Sequence, residues 1–268
     1  MTGIVFGCLV PHPPLIVPDV GKGGEREIAA TTRAMEELTD KLSRQKPDTA
    51  LIISPHSKYH SDTMGISTEP SSSGDMSVWG STSPRQTYDN DLDLVKLIQE
   101  EAMKADIPIR PINRGSDNLD HGIMVPLYFL GKALKGASLV PLSFCWLSLK
   151  EHFAFGKAIR KAAEKSKKRV ALIASGDLSH RLIPGAPAGY DPMGSIFDQR
   201  LVNALSCLDA KSVLNLDKEI IERAGECGLR PAVILLGAID GLKVEPRILS
   251  YEGPFGVGYA VASFEVVS

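Results

Sequence analysis

The runs Thr49-Ala-Leu-Ile-Ile-Ser54 and Arg169-Val-Ala-Leu-Ile-Ala-Ser175 are apolar almost without interruption. A strand with one wet face alternates polar and apolar residues, whereas a strand covered on both faces does not, and covered strands belong to parallel sheets sandwiched between helices. Residues 3-10 are of the same kind, and an amphipathic stretch at 25-44 follows them, with Ile28, Met35, Leu38 and Leu42 at helical spacing. Helical patterns recur at 91-105, 122-135, 150-168, 193-206 and 229-240, and further strands are expected at 139-144, 246-251 and 258-266. The alternation predicts an α/β fold: a three-layer α/β/α arrangement around a central, partly parallel mixed sheet. With 268 residues and 43% hydrophobic content, one large core is affordable, and residues 1–268 are expected to form a single domain.

Two stretches do not fit the alternation. Residues 69-90 are rich in Ser, Gly and Pro around Trp79, and residues 181-194 carry Pro184, Pro187 and Pro192. Both read as loops, either surface connections or a rim over a site. Thirty Lys plus Arg against 32 Asp plus Glu leave a net charge of -2, which argues against a nucleic-acid partner. The four cysteines, Cys8, Cys145, Cys207 and Cys227, are dispersed and form no CxxC pair, as in a reduced cytoplasmic protein. The apolar N-terminus is stopped by Pro11 and lacks a basic leader, so it reads as a first strand and not as a signal peptide. No apolar run approaches the roughly 20 residues of a membrane span.

Three of the six histidines share one structural position. Phe6-Gly-Cys-Leu-Val-Pro-His12, Leu51-Ile-Ile-Ser-Pro-His56 and Leu172-Ile-Ala-Ser-Gly-Asp-Leu-Ser-His180 each place a histidine just past the carboxyl end of an apolar strand, the edge where open α/β sheets collect ligands. The proline before His12 and His56 restricts the backbone and sets both rings on stiff turns. Two neutral imidazoles and one anion make a facial triad for Fe(II) that leaves positions open. The anion is sought at Arg223-Ala-Gly-Glu-Cys-Gly-Leu-Arg-Pro231, where Glu226 offers a hard oxygen and Cys227 a soft sulfur that favours zinc or copper. Glu226 could equally complement the start of the following helix, and Cys227 pack as a small apolar group. Glu252, in Ser-Tyr-Glu-Gly-Pro, is a weaker candidate. His60 reads as rim or surface, and His152, near an apparent helix start, reads as solvated.

Taken in order, Val10-Pro-His-Pro-Pro14, Ile53-Ser-Pro-His56, Asp120-His-Gly-Ile-Met-Val-Pro-Leu127, Ser175-Gly-Asp-Leu-Ser-His180 and Gly225-Glu-Cys-Gly-Leu-Arg-Pro231 resemble the LigB-type class III extradiol ring-cleaving dioxygenases and the related Memo-like and AmmeMemoRadiSam proteins. The resemblance runs through most of the chain. It implies an Fe(II) enzyme that opens a catecholic ring with O2, and it makes His12 and His56 metal ligands. It further implies that His180 is the acid/base residue and His121 a second active-site histidine, with Asp177 orienting a ring or lining the pocket. The dioxygenases supply Glu as third ligand and the Memo-like proteins Cys, and this chain has both in Glu226-Cys227. The expected partners are a small aromatic substrate and O2, with a homo-oligomer or small partner subunit as in the family. Lys58, Arg85 and Arg181 are candidates to pair with a substrate carboxylate. The rival readings are a Memo-like metal-binding protein without ring cleavage and a zinc hydrolase.

Overall fold

The computed structural model of the protein describes residues 2–57, 60–112, 115 and 119–267. From the N-terminus, β1 (Gly3–Val10) leads through a short helical turn, α1 (Pro18–Gly21), into α2 (Ala29–Gln45) and β2 (Thr49–Ile53). There follow β3 (Met64–Ile66), a hairpin of β4 (Ser71–Met76) and β5 (Ser81–Asp89), α3 (Leu92–Lys104), β6 (Ile109–Pro111), α4 (His121–Leu130) and β7 (Ser138–Ser143). The second half contains α5 (Leu149–Ser166), β8 (Arg169–Ser175), α6 (Pro192–Ser206), α7 (Ala210–Leu214), α8 (Lys218–Ala224), α9 (Leu229–Ile239), β9 (Val244–Glu252) and β10 (Tyr259–Val266).

Eight strands form one mixed sheet in the order β6-β3-β7-β2-β8-β1-β10-β9. The central four, β7, β2, β8 and β1, are mutually parallel, while β10 runs antiparallel to β1 and β9 to β10. Strands β1 and β2 are buried along their whole length, which explains their lack of polar alternation. One apolar core joins this sheet to α3, α5 and α9; a second joins its other face to α2 and α4. The predicted helical layers on both faces are therefore present. No described helix is long and apolar enough to cross a membrane.

Local sequence accounts for the element boundaries. Helix α5 opens with a capping box: Ser148 accepts from the Glu151 backbone N–H, and the Glu151 carboxylate accepts from the Ser148 N–H. Helix α6 starts at Pro192, a residue whose missing N–H costs nothing there, with Asp191 accepting from Met193 N–H.

Residues 69-90 depart from the loop expected of them. They form the antiparallel β4–β5 hairpin, in register from Ser71 opposite Asp89 to Gly74 opposite Gln86. Its composition hides it because buried serines with polar partners replace the apolar alternation of an ordinary strand. Ser72, fully buried, accepts a hydrogen bond from Asn90 Nδ2 at 2.8 Å. Gly74 lies flat against Leu119, leaving no room for a Cβ. Residues 181–191 do remain irregular up to the start of α6.

Candidate metal centre

Strand β8 lies between β1 and β2 and is parallel to both, with Ser175 opposite Val10 and Ala174 opposite Ile53. The turns that follow β1 and β2 therefore emerge side by side at one sheet edge, and each carries its Pro-His pair there. The Nε2 atoms of His12 and His56 face each other at 3.0 Å. The other ring nitrogen of His12, Nδ1, is engaged by Ser175 Oγ at 2.9 Å, and the His12 backbone N–H donates to Asp177 Oδ1 at 2.9 Å. These two contacts fix the ring's position and leave Nε2 as the atom presented to the site.

Cys227 reaches the same place from the far end of the chain, its Sγ 3.7 Å from His12 Nε2. One donor atom from each of His12, His56 and Cys227 can be chosen so that all lie within 4.8 Å of one another. The thiol is held by reciprocal backbone contacts: Cys227 N–H donates to the Asp177 carbonyl at 3.2 Å, and Asp177 N–H donates to Sγ at 3.3 Å. Two glycines permit this approach, since a Cβ on Gly176 would stand 2.2 Å from the Gly228 Cα.

Glu226 turns the other way. Its Oε2 accepts from the Leu229 N–H at 2.6 Å, and its Oε1 lies 3.7 Å from Arg230 Nη1. The carboxylate thus serves the first turn of α9, and burial pushes its pKa up to about 7. Of the two adjacent residues, only Cys227 is brought to the histidines. Glu252 is also committed elsewhere: it accepts from the N–H and hydroxyl of Thr31 at 2.6 Å each.

His121 is the first residue of α4, and its ring centroid lies 4.0 Å from that of His56 and 5.5 Å from that of His12. Trp79, between β4 and β5, stands over it at 5.4 Å. The residue before it, Asp120, caps α4 by accepting from Gly122 N–H at 2.8 Å. Asp120 also accepts from the hydroxyls of Ser54 and Ser57 at 2.6 Å each, and Ser54 Oγ in turn accepts from the His56 N–H at 3.1 Å. One carboxylate thereby ties the His56 turn to the helix that carries His121. His180 follows β8, and its Nδ1 is buried without a hydrogen-bond partner among the described residues.

Burial, and then the neighbouring histidines, hold the His12 pKa well below its ordinary value. Burial also lowers the pKa of His56 and of His121. Neutral imidazole is the ligating form, so the ring cluster is poised to take a cation. Burial raises the Cys227 pKa well above normal, with the Asp177 and Glu226 charges adding to it, and burial also raises that of Asp177. A cation between the rings would oppose both effects. Two ring nitrogens and one sulfur converging on a buried point, with Nδ1 of one ring already occupied, are a donor set that fits a single metal ion.

Other residues singled out in the sequence lie elsewhere. His152 is a correction: it is fully buried, its Nδ1 donating to the Ser148 carbonyl at 2.8 Å, because it lies on the face of α5 that carries Phe155 and Ile159 into the core. His60 is half-buried. Arg85 pairs with Asp75 at 3.0 Å on the hairpin, and Lys58 lies outside the described residues. Asp120 and Ser175 were missed as site residues, and Trp79 lies in the stretch read as either surface connection or rim, where it meets His121. Of the two missed residues, only Asp120 carried a local signal, standing at the cap position before an apolar helix.

The model of the family described as "Catalytic LigB subunit of aromatic ring-opening dioxygenase" matches residues 7–262. Protein CA_C1420 of Clostridium acetobutylicum is 38% identical over 268 residues, covering 97% of this chain and 57% of that protein. The 3,4-dihydroxyphenylacetate 2,3-dioxygenase of Escherichia coli is 27% identical over 171 residues, covering 61% of this chain and 62% of the enzyme. The 2-aminophenol 1,6-dioxygenase alpha subunit of a Pseudomonas species is 27% identical over 279 residues, covering 98% and 99%. The chain thus spans less than two thirds of the length of the first two relatives. Among solved structures, the uncharacterized protein JW3007 of Escherichia coli K12 shares the fold, with a TM-score of 0.66 at 16% identity over 97% of this chain and 99% of that one. By the match over residues 7–262, which takes in both Pro-His turns and the Glu226-Cys227 segment, this chain belongs to the LigB family.

Proposed function

We propose that residues 1–268 act as one catalytic domain, a non-haem metal-dependent dioxygenase that opens a catecholic ring with O2 in the extradiol manner. The observation that carries this reading is the convergence of His12, His56 and Cys227 donor atoms within 4.8 Å at the ligand-collecting edge of the sheet. In this reading those three residues hold Fe(II). When bound, the iron supplies the redox centre that links an electron-rich diol to dioxygen.

The chain's own residues supply position and protons. His180, whose Nδ1 has no hydrogen-bond partner among the described residues, accepts a proton from the diol and later returns it, a task suited to an imidazole. His121, beside His56, donates to developing negative charge on the substrate. Asp177 keeps His12 in place through its backbone N–H, and Asp120 keeps the two turns in register. The relatives named as dioxygenases support this class of reaction.

A second reading is favoured by one observation, the sulfur donor. A thiolate in place of a carboxylate softens the site toward zinc or copper and suits a Memo-like metal-binding protein without ring cleavage. Anaerobic purification, metal analysis and oxygen uptake with a panel of catechols separate the two. About one iron per chain with uptake supports the dioxygenase; zinc or copper without uptake supports the second reading.

A further inference from the structure

Asp198 stands in α6, and none of the chemistry above uses it. Its carboxylate is fully buried. Oδ1 accepts from the Ser179 N–H at 2.8 Å, and Oδ2 accepts from the Tyr251 hydroxyl at 2.7 Å. Gly258 lies so close to Oδ2 that no Cβ would fit between them. Both donors are neutral, and burial pushes the Asp198 pKa up to about 6 against the pull of these two bonds. A hydroxyl or an amide would satisfy one backbone N–H at less cost than a carboxylate withdrawn from water. What the carboxylate holds gives it a purpose.

Ser179 immediately precedes His180, in the irregular segment 176–181 that follows β8. The backbone of this turn is pinned at successive residues. Leu178 N–H donates to the Gly258 carbonyl at 2.8 Å, and Gly258 N–H donates to the Ser179 carbonyl at 2.8 Å. His180 N–H donates to the carbonyl of Ala224, the last residue of α8, at 3.2 Å, and Arg181 N–H donates to the Ser179 hydroxyl at 3.0 Å. Asp198 adds α6 to these anchors and, through Tyr251, β9. The His180 ring has less support of its own: its Nδ1 is buried with no hydrogen-bond partner among the described residues, whereas His12 Nδ1 is engaged by Ser175. The backbone of the turn therefore aims the His180 ring, and the residue beside it is the one that Asp198 grips.

We propose that Asp198, braced by Tyr251, is the positioning residue for His180, setting its imidazole through the Ser179 N–H without touching the reacting atoms. The effect on turnover rests on the proton-transfer role proposed for His180; the effect on the position of the ring does not. A displacement of about 1 Å at a reacting group can lower the rate about 100-fold.

Two readouts on the metal-loaded protein test this. Nitrogen-15 histidine spectra of the zinc-loaded protein report the surroundings of the His180 ring, whose signals are those absent from His180→Gln. Oxygen uptake by the iron-loaded protein with 4-methylcatechol gives kcat and KM. Asp198→Ala should move the His180 signals and leave those of His12 and His56 in place. It should lower kcat about 10- to 100-fold, with KM and metal stoichiometry within about 3-fold of wild type. Asp198→Asn, whose amide can accept from the Ser179 N–H and donate to the Tyr251 hydroxyl, should restore both readouts. Tyr251→Phe removes one bond and should lower kcat about 5-fold, which covers the case in which Asp198→Ala does not fold. His180 signals unmoved in both variants overturn the positioning role, whatever the turnover. Signals of His12 and His56 that move as far as those of His180 overturn it too, since Asp198 would then support the whole sheet edge. His180 signals that move alone, in a protein whose wild type takes up no oxygen or whose turnover is unchanged in His180→Gln, keep the positioning role and remove the chemistry proposed for His180.

Discussion

The sulfur of Cys227 lies 3.7 Å from Nε2 of His12, a contact made between residues at opposite ends of the chain. The preceding side chain, Glu226, is directed into the first turn of α9 instead. Two neighbours that could each ligate a metal, one through a hard oxygen and one through a soft sulfur, are thus given separate work by the backbone between them.

Cys227→Ala, His12→Ala and His56→Ala should each lose stoichiometric metal in elemental analysis of anaerobically purified protein. Glu226→Ala should keep its metal and instead lose about 1–2 kcal/mol of stability in urea unfolding, the usual cost of removing a carboxylate from a helix start. Metal lost from a folded Glu226→Ala variant and kept by Cys227→Ala would reverse the assignment.

His180→Gln should retain metal and bind a catechol, while turnover falls by about 10²- to 10⁴-fold, the range for a removed general acid/base. Single-turnover oxygen uptake at saturating substrate measures it. Unchanged turnover would take the proton-transfer role away from His180.

Asp120→Ala removes an acceptor shared by Gly122 N–H, Ser54 and Ser57. The expected outcome is a loss of about 1–2 kcal/mol in stability together with metal affinity weakened about 10- to 100-fold, as for other groups that orient ligands. Asp120→Asn keeps the cap and should fall between. Competition with a metal-sensitive chelator gives the affinity. A stability loss with affinity unchanged would make Asp120 a helix cap and nothing more.

Burial pushes the His152 pKa down to about 4. The unfolded chain takes up a proton at this residue near its ordinary pKa of 6.5, whereas the folded protein refuses it until about pH 4. The unfolded state therefore binds more protons across that window, and stability should fall as pH drops from about 6.5 to about 4, by on the order of 2–3 kcal/mol from this residue. Urea midpoints measured through the window, in wild type and His152→Phe, test it; an equal slope in both proteins would assign the acid sensitivity elsewhere.

The fold was legible where burial imposed a pattern. β2 and β8 lack polar alternation because both faces are covered, and α6 announces itself through Asp191 and Pro192. The β4–β5 hairpin was not legible, because Ser71-Ser-Ser-Gly74 shows no apolar alternation and its buried Ser72 is satisfied by Asn90 across the hairpin. At the site, the two Pro-His turns were visible from their repeated placement. The choice between Glu226 and Cys227 was not, since it depends on the direction of two adjacent side chains. The roles of Asp120 and Ser175 arise from contacts that span 66 and 163 residues, and no local motif encodes those. His152 was misread because a helix start was equated with exposure, although it shares the buried face of α5 with Phe155 and Ile159.

The Gly176–Gly228 crossing has a further meaning for how the protein is assembled. The thiol and the imidazole it approaches are 215 residues apart in sequence, and closing so long a loop is entropically costly until the sheet has already done it, so an ion held there would not serve as an early staple. β1, β2 and β8 all precede α9 in the chain. In the proposed reading the three donors meet only once the sheet and α9 are in place, so an ion bound there would stabilise the folded chain by mass action.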